Sequence, residues 1–150
     1  MKRIFFYQLS LFAFAIVFFS CSNEPVEVVK TKHQNGSPEM VEYKDQDSNV
    51  VKSIEYYKNG QKKMEGSYKD SLRTGEWLCW YENGKLWSRG TFIKGKSEGR
   101  FLSYNEDGSL FQESMYKEGK PDGKWCYYKD EKRIKEVYYK NGIIINEIDL

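Results

Sequence analysis

The sequence predicts an all-β fold: a meander of consecutive β-hairpin repeats with a 24-residue period, forming one elongated, twisted antiparallel sheet. Three observations predict it. Gly75, Gly99 and Gly123 lie 24 residues apart, as do Gly36, Gly60, Gly84 and Gly108. Two residues after each glycine of the first series stands a large aromatic (Trp77, Phe101, Trp125), and three further on stands another (Trp80, Tyr104, Tyr128). A further aromatic column holds Tyr68, Phe92 and Tyr116, which Tyr139 continues one residue early. Self-similarity at this spacing implies a stack of small units, none of which buries its own apolar side alone.

The chain divides in order. Residues 1–20 read as a secretory signal: Lys2 and Arg3 head an apolar run from Ile4 to Phe19, and the small Ser20 precedes Cys21. The "FFSC" at Phe18–Cys21 resembles a bacterial lipoprotein cleavage box. It departs from that box in having Phe18 where leucine is common and Phe19 where a small residue is common. Cys21 is then the lipidated residue, and the alternative is an uncleaved anchor only slightly shorter than the roughly 20 residues that span a bilayer. Residues 21–25 are a short polar linker. Residues 26–49 form a degenerate N-terminal cap repeat, which keeps Asn35-Gly36 and a strand near Val26–Thr31 but lacks the tryptophan.

Residues 50–142 carry the repeats. In "GEWLCWYENGKLWSRGTFIKGKSE", starting at Gly75, an aromatic-rich segment reads as a strand, and "LWSRGTFI" reads as its return. Between them Asn83-Gly84 signals a two-residue hairpin, since both residues tolerate positive φ. "KGKSE" reads as a looser polar connection. Aromatics at the same position in successive units are expected to neighbour one another across the sheet. Alternation places Trp77, Phe101 and Trp125 on one face and Trp80, Tyr104 and Tyr128 on the other. Residues 143–150 read as a C-terminal cap strand that covers Ile143, Ile145 and Ile148.

Charge and cysteines narrow the function. The chain has 24 basic and 22 acidic residues, and removing Lys2 and Arg3 with the signal leaves 22 against 22. Nucleic-acid binding needs a basic excess to release counterions, so it is excluded. Cys79 and Cys126 fall on opposite faces and two repeats apart, roughly 19 Å at two strands per repeat, beyond the reach of a disulfide. Two free, mostly buried thiols are expected.

No catalytic, metal or cofactor constellation is legible. His33 is the single histidine and reads as a solvated turn residue, and no metal-ligand spacing occurs. Asp45 with Asp47, and Glu106 with Asp107, are carboxylate pairs in turns with no frame for a glycosidase pocket. The aromatics are the functional candidates, since Trp and Tyr are favoured in binding hot spots. Most of them read as scaffold. Trp87 and Phe111, beside the main ladders, are the candidate binding surface, with Lys135 in their place in the last unit.

The units starting at Gly75 and at Gly99 ("GRFLSYNEDGSLFQESMYKEGKPD") resemble the MORN-like repeats of the bacterial YwqK-type family. The shared pattern is a Gly, a Trp or Phe two on, a Tyr, an Asx-Gly turn, and a Tyr or Phe before a Gly-containing loop. The resemblance covers about 50–142 and implies a hairpin-repeat sheet that contacts protein or lipid without catalysis. The expectation is an exported, lipid-anchored interaction surface in the cell envelope, on the outer membrane or the periplasmic face, with a protein partner ahead of glycan or lipid. The family's antitoxin label supplies an alternative, a protein that sequesters a toxin; an envelope enzyme is the third reading.

Overall fold

The structure, a computed structural model, describes residues 24–150. The signal, Cys21 and its lipidation lie outside the described residues. Twelve strands form one sheet: β1 (Val26–Lys32), β2 (Pro38–Lys44), β3 (Val50–Tyr56), β4 (Lys62–Lys69), β5 (Leu72–Trp80), β6 (Leu86–Ile93), β7 (Lys96–Tyr104), β8 (Leu110–Lys117), β9 (Lys120–Pro121), β10 (Gly123–Lys129), β11 (Lys132–Lys140) and β12 (Ile143–Asp149). Each pairs antiparallel with the next, and the short β9 lies beside β8 as the first part of the strand that β10 continues. The predicted open meander is therefore the fold. Counting β9 and β10 as one position, eleven strands alternate in direction, so β1 and β12 run the same way.

The two kinds of turn exchange the roles the sequence suggests. At the Asx-Gly turns only the glycine has positive φ: Gly36, Gly60, Gly84 and Gly108 lie at 84°, 85°, 81° and 94°. The Gly84 N–H donates to the Tyr81 carbonyl at 2.9 Å, and the Tyr81 N–H to the Lys85 carbonyl. These are three-residue loops closed by a glycine bulge. The two-residue turns are instead at the supposed loose connections, where both central residues have positive φ: Asp70-Ser71, Lys94-Gly95, Glu118-Gly119 and Asn141-Gly142. In the last unit Asp130-Glu131 makes such a turn in place of the three-residue loop. That one-residue shortening is why Tyr139 falls early.

The second glycine series serves a bulge. Gly75, Gly99 and Gly123 have φ of 68°, 75° and 108°, at points where the register breaks against the preceding strand. The extra residues there swing the following aromatic across its neighbour. Trp77 thus lies over Gly66 and Phe101 over Gly90, where a side chain at either glycine would overlap the ring. Trp77 is 3% exposed.

One face carries a continuous aromatic spine. Consecutive ring centroids from Tyr68 through Trp77, Phe92, Phe101, Tyr116 and Trp125 to Tyr139 are 5.3, 6.0, 5.6, 4.9, 5.3 and 4.8 Å apart. Edge-on and tilted contacts of this kind add about 0.5–1.5 kcal/mol each beyond area burial. The neighbours come from alternating columns, which corrects the expectation that same-position aromatics touch: equivalent rings are two strands, or ~10 Å, apart, and a ring of the other column fills the gap. The Trp125 indole N–H donates to the Met115 carbonyl at 3.0 Å.

The opposite face is built differently. A register row crosses the whole sheet: Val29, Val41, Ile54, Glu65, Leu78, Arg89, Leu102, Glu113, Cys126, Glu136 and Ile148. From Ile54 to Glu136 it alternates apolar with charged. The charges are paired: Glu65 with Lys52 and Lys62, Glu113 with Arg100, Glu136 with Lys124 and Arg133. Alternation sets Trp80, Tyr104 and Tyr128 on this face, as expected, though no ring contact joins them among the described residues. Cys79 and Cys126 are unbridged, one half-buried and one buried, and fall on opposite faces as the spacing requires. β12 forms as anticipated but leaves Ile143, Ile145 and Ile148 exposed, since it is the edge strand of the sheet among the described residues.

Candidate functional site

The candidate surface follows from a second irregularity. Cys79 pairs with Ser88 and Trp80 with Leu86, which leaves Trp87 as an extra residue. Phe111 is extra in the same way between Leu110 and Gln112, and Ile134 between Arg133 and Lys135. The equivalent of Trp87 and Phe111 in the last unit is therefore Ile134. The sequence assignment of Lys135 is displaced by one because of the shortened Asp130-Glu131 turn. A bulge residue lies outside the ladder, so its side chain escapes the cross-strand packing that engages the spine. Trp87, Phe111 and Ile134 are 49%, 45% and 41% exposed.

Each of the two aromatic bulge residues leans on a tyrosine: Trp87 on Tyr81 at 6.0 Å and Phe111 on Tyr127 at 6.4 Å. Phe111, Tyr128 and Ile134 line one open groove of about 670 Å³ with Asp107, Asp130 and Glu131 at its border. The structure thus brings Phe111 and Tyr128 together and leaves Trp87 on the neighbouring unit. Trp77, Phe92, Phe101, Tyr116 and Trp125 are spine residues, while Trp80 is half-buried, with the Lys62 ammonium 5.9 Å from its ring.

A polar ladder escaped the sequence reading. The Tyr57 hydroxyl donates to the Trp80 carbonyl at 2.8 Å, and Tyr81 to the Tyr104 carbonyl at 2.7 Å. His33 holds the same place one unit earlier, with Nε2 3.0 Å from the Tyr56 carbonyl. The histidine is therefore half-buried and tied to the next hairpin, a correction to its reading as solvated. The available signal was its spacing of 24 from Tyr57 and 48 from Tyr81. Asn59 and Asn83 add parallel links, donating to the Glu82 and Glu106 carbonyls.

One carboxylate of each turn pair, Asp45 and Asp107, is committed to local donors. Asp45 accepts backbone N–H bonds from Asn49 at 2.8 Å and Asp47 at 3.0 Å, and the Asn49 contacts hold it below the usual carboxylate range. Asp107 accepts from the Ser109 hydroxyl and N–H, which depress it likewise. A lowered pKa is the opposite of what a general acid at neutral pH needs. Burial pushes the Cys79 thiol up, which disfavours the reactive thiolate. No group of three or more metal-ligating side chains occurs among the described residues.

Three segments, 50–70, 73–94 and 97–118, match the family model described as MORN repeat variant. They correspond to the hairpins β3–β4, β5–β6 and β7–β8, so the centre of the sheet is a run of MORN-type repeats. No curated protein matches the chain. Among solved structures it is similar to a point mutant of S. aureus TarM in complex with fondaparinux, α-GlcNAc-glycerol and UDP, at 20% identity and a TM-score of 0.46, covering 74% of this chain and 21% of that one. A second TarM structure gives 20% identity and a TM-score of 0.45, covering 79% and 21%. The chain spans about a fifth of the length of those structures.

Proposed function

We propose that this is an exported, lipid-anchored MORN-like protein of the YwqK type that serves as a non-catalytic protein-interaction surface in the bacterial cell envelope. The observation that carries the reading is the bulge column. Trp87, Phe111 and Ile134 stand free of the ladder at equivalent places on successive hairpins, while the rings of the spine from Tyr68 to Tyr139 interlock. A preformed sheet loses little conformational freedom on binding, so exposed rings of this kind convert efficiently into affinity. The tether is supported by the run from Lys2 to Cys21 and the non-catalytic character by Asp45 and Asp107 engaged as local acceptors.

The test is site-specific photocrosslinking in the native envelope. A crosslinker at position 87 or 111 is expected to yield a discrete protein adduct that one at position 80 does not. Adducts of equal yield at all three positions, or none at 87 and 111, would sink the reading. Replacing Cys21 with Ser is expected to release the protein from membranes, and its persistence there would favour an uncleaved anchor.

A further inference from the structure

The aromatic spine stops at Tyr68, inside the first of the matched repeats. One period before Trp77 stands Ser53, and one period before Gly66 stands Glu42. The two pair across β2 and β3, so a serine holds the place of the ring and a carboxylate the place of the glycine beneath it. Both lie on the spine face, since they adjoin Val41 and Ile54 of the opposite row. The space that Trp77 and Phe101 fill in their own units is open here. It forms a cleft of about 400 Å³ whose lining includes Met40, Glu42, Asn49, Val50, Ser53 and Tyr68, a volume within the ~300–1,000 Å³ span of small-molecule sites.

The turns fall on two long rims, since each hairpin returns the chain to the rim it left. The β2–β3 turn shares a rim with Asp70-Ser71 and Lys94-Gly95 but is longer than those two-residue turns. The Asp45 N–H donates to the Asn49 carbonyl at 3.0 Å, and the Ser48 N–H to the Asp45 carbonyl at 3.0 Å. The Asp45 carboxylate holds the Asn49 N–H at 2.8 Å and its side-chain Nδ2 at 3.2 Å. That fixes the Asn49 amide and leaves its Oδ1 as an acceptor, so this wall of the cleft is formed before any ligand arrives.

On the floor, Ser53 is 6% exposed. Its hydroxyl donates to the Tyr68 hydroxyl at 3.5 Å, which leaves the Tyr68 proton for another acceptor. Glu42 Oε2 is buried and receives no hydrogen bond among the described residues. The Lys44 and Lys30 ammonium groups lie 3.7 and 4.0 Å from it, near enough to balance its charge and too far to donate. A buried acceptor without a donor is unfavourable, and a donor brought by a ligand relieves it.

These groups select the ligand by charge and shape. A cation would meet two ammonium groups, and an anion would meet the carboxylate. A neutral molecule that gives hydroxyl hydrogens to Glu42 and Asn49, and accepts one from Tyr68, meets neither penalty. Met40, Val50 and the Tyr68 ring add an apolar side, so the ligand needs a C–H face as well as hydroxyls. A pyranose ring has both. Glu42 is the one carboxylate among the lining residues, whereas glycoside cleavage takes a pair.

We propose that this cleft binds a neutral pyranose, without cleaving it, in the place of the missing spine ring. Glu42 and Asn49 accept its hydroxyls, Tyr68 donates to it, and Met40 and Val50 cover its C–H face. This site lies apart from Trp87 and Phe111 and depends neither on that surface nor on the tether.

The test uses the full chain in a detergent without a sugar headgroup. Methyl glycosides of glucose, galactose, mannose and N-acetylglucosamine are titrated by saturation-transfer NMR, with glucosamine and glucuronic acid as cationic and anionic counterparts. At least one neutral glycoside is expected to bind with a Kd on the order of 1 mM. Glu42→Gln keeps the shape of the cleft and weakens its acceptor, and is expected to raise that Kd roughly tenfold. Ser53→Trp supplies the missing ring and is expected to abolish binding while melting no lower than the parent chain. If Ser53→Trp lowers the melting temperature, the Glu42→Gln titration decides. No saturable binding of any neutral glycoside, a preference for glucosamine or glucuronic acid, or a Kd unchanged in Glu42→Gln would each overturn the proposal.

Discussion

Gly66 lies beneath the indole of Trp77, with no room for a Cβ between them. Gly66 has no positive φ, so the demand is for space alone. Gly66→Ala, and Gly90→Ala beneath Phe101, are each expected to cost about 1–3 kcal/mol through overpacking, read as a fall in the urea midpoint. The next equivalent position in the repeat is Ser114, which pairs with Phe101 as Gly90 pairs with Trp77.

Two of the two-residue turns lack glycine at their second position. Ser71 and Glu131 both have φ of 61°, a conformation that costs a side chain about 1–2 kcal/mol. Ser71→Gly and Glu131→Gly are expected to stabilise the chain by roughly 0.5–1 kcal/mol after the added flexibility of the unfolded state is subtracted. Gly95→Ser should do the reverse. Thermal melts of the three variants check the sign.

Tyr57 and Tyr81 join hairpins two strands apart through one hydroxyl each. Tyr57→Phe and Tyr81→Phe are each expected to cost about 0.5–1.5 kcal/mol, with nearly additive loss in the double variant because the sites share no partner. Strong non-additivity in denaturant titrations would mean that the polar ladder works as one unit.

Acid should weaken the sheet at its turns. Asp45, Asp107 and Asp122 all have depressed pKa values: Asp45 chiefly through backbone bonding from Asn49, Asp107 through the Ser109 hydroxyl, and Asp122 through the Asn141 N–H. A carboxylate depressed by folding contributes its full stabilisation above its unfolded pKa, about 3.9 for Asp, and loses it as pH falls through the lower folded value. The melting temperature is therefore expected to hold near neutral pH and drop below about pH 4. The triple Asp→Asn variant should be less stable at neutral pH and show a shallower acid dependence.

Much of the fold was legible because identical spacing constrains every unit alike. Strand order, hairpin succession, the faces of Trp77 and Trp80 and the separation of Cys79 from Cys126 all follow from a period and an alternation. The turns were not, because Asn-Gly serves a two-residue turn or a three-residue loop with a glycine bulge, and only backbone geometry separates them. Lys94-Gly95 and Asp70-Ser71 look like linker residues yet adopt the tighter conformation, because strand twist favours positive φ at both positions. The interleaving of Trp77 between Tyr68 and Phe92 needed the register, which bulges at Gly75 and its equivalents alter by more than one residue. Ile134 was hidden behind Lys135 by a single deletion. Trp87 and Phe111 stood out by their irregular place, but the bulge that exposes them has no sequence signature of its own.

An odd number of strand positions has one further consequence. β1 and β12 run the same way, so the chain enters the sheet at one corner and leaves it at the diagonally opposite one. Measured along the sheet, that diagonal spans about ten inter-strand spacings, or ~48 Å, and one strand length, ~23 Å. The sheet in effect acts as a spacer that sets Val26 and Asp149 on opposite rims. Any domain, tag or partner joined after Leu150 is carried to the rim away from Val26, and each added 24-residue unit lengthens the reach by two spacings without changing which rim it occupies.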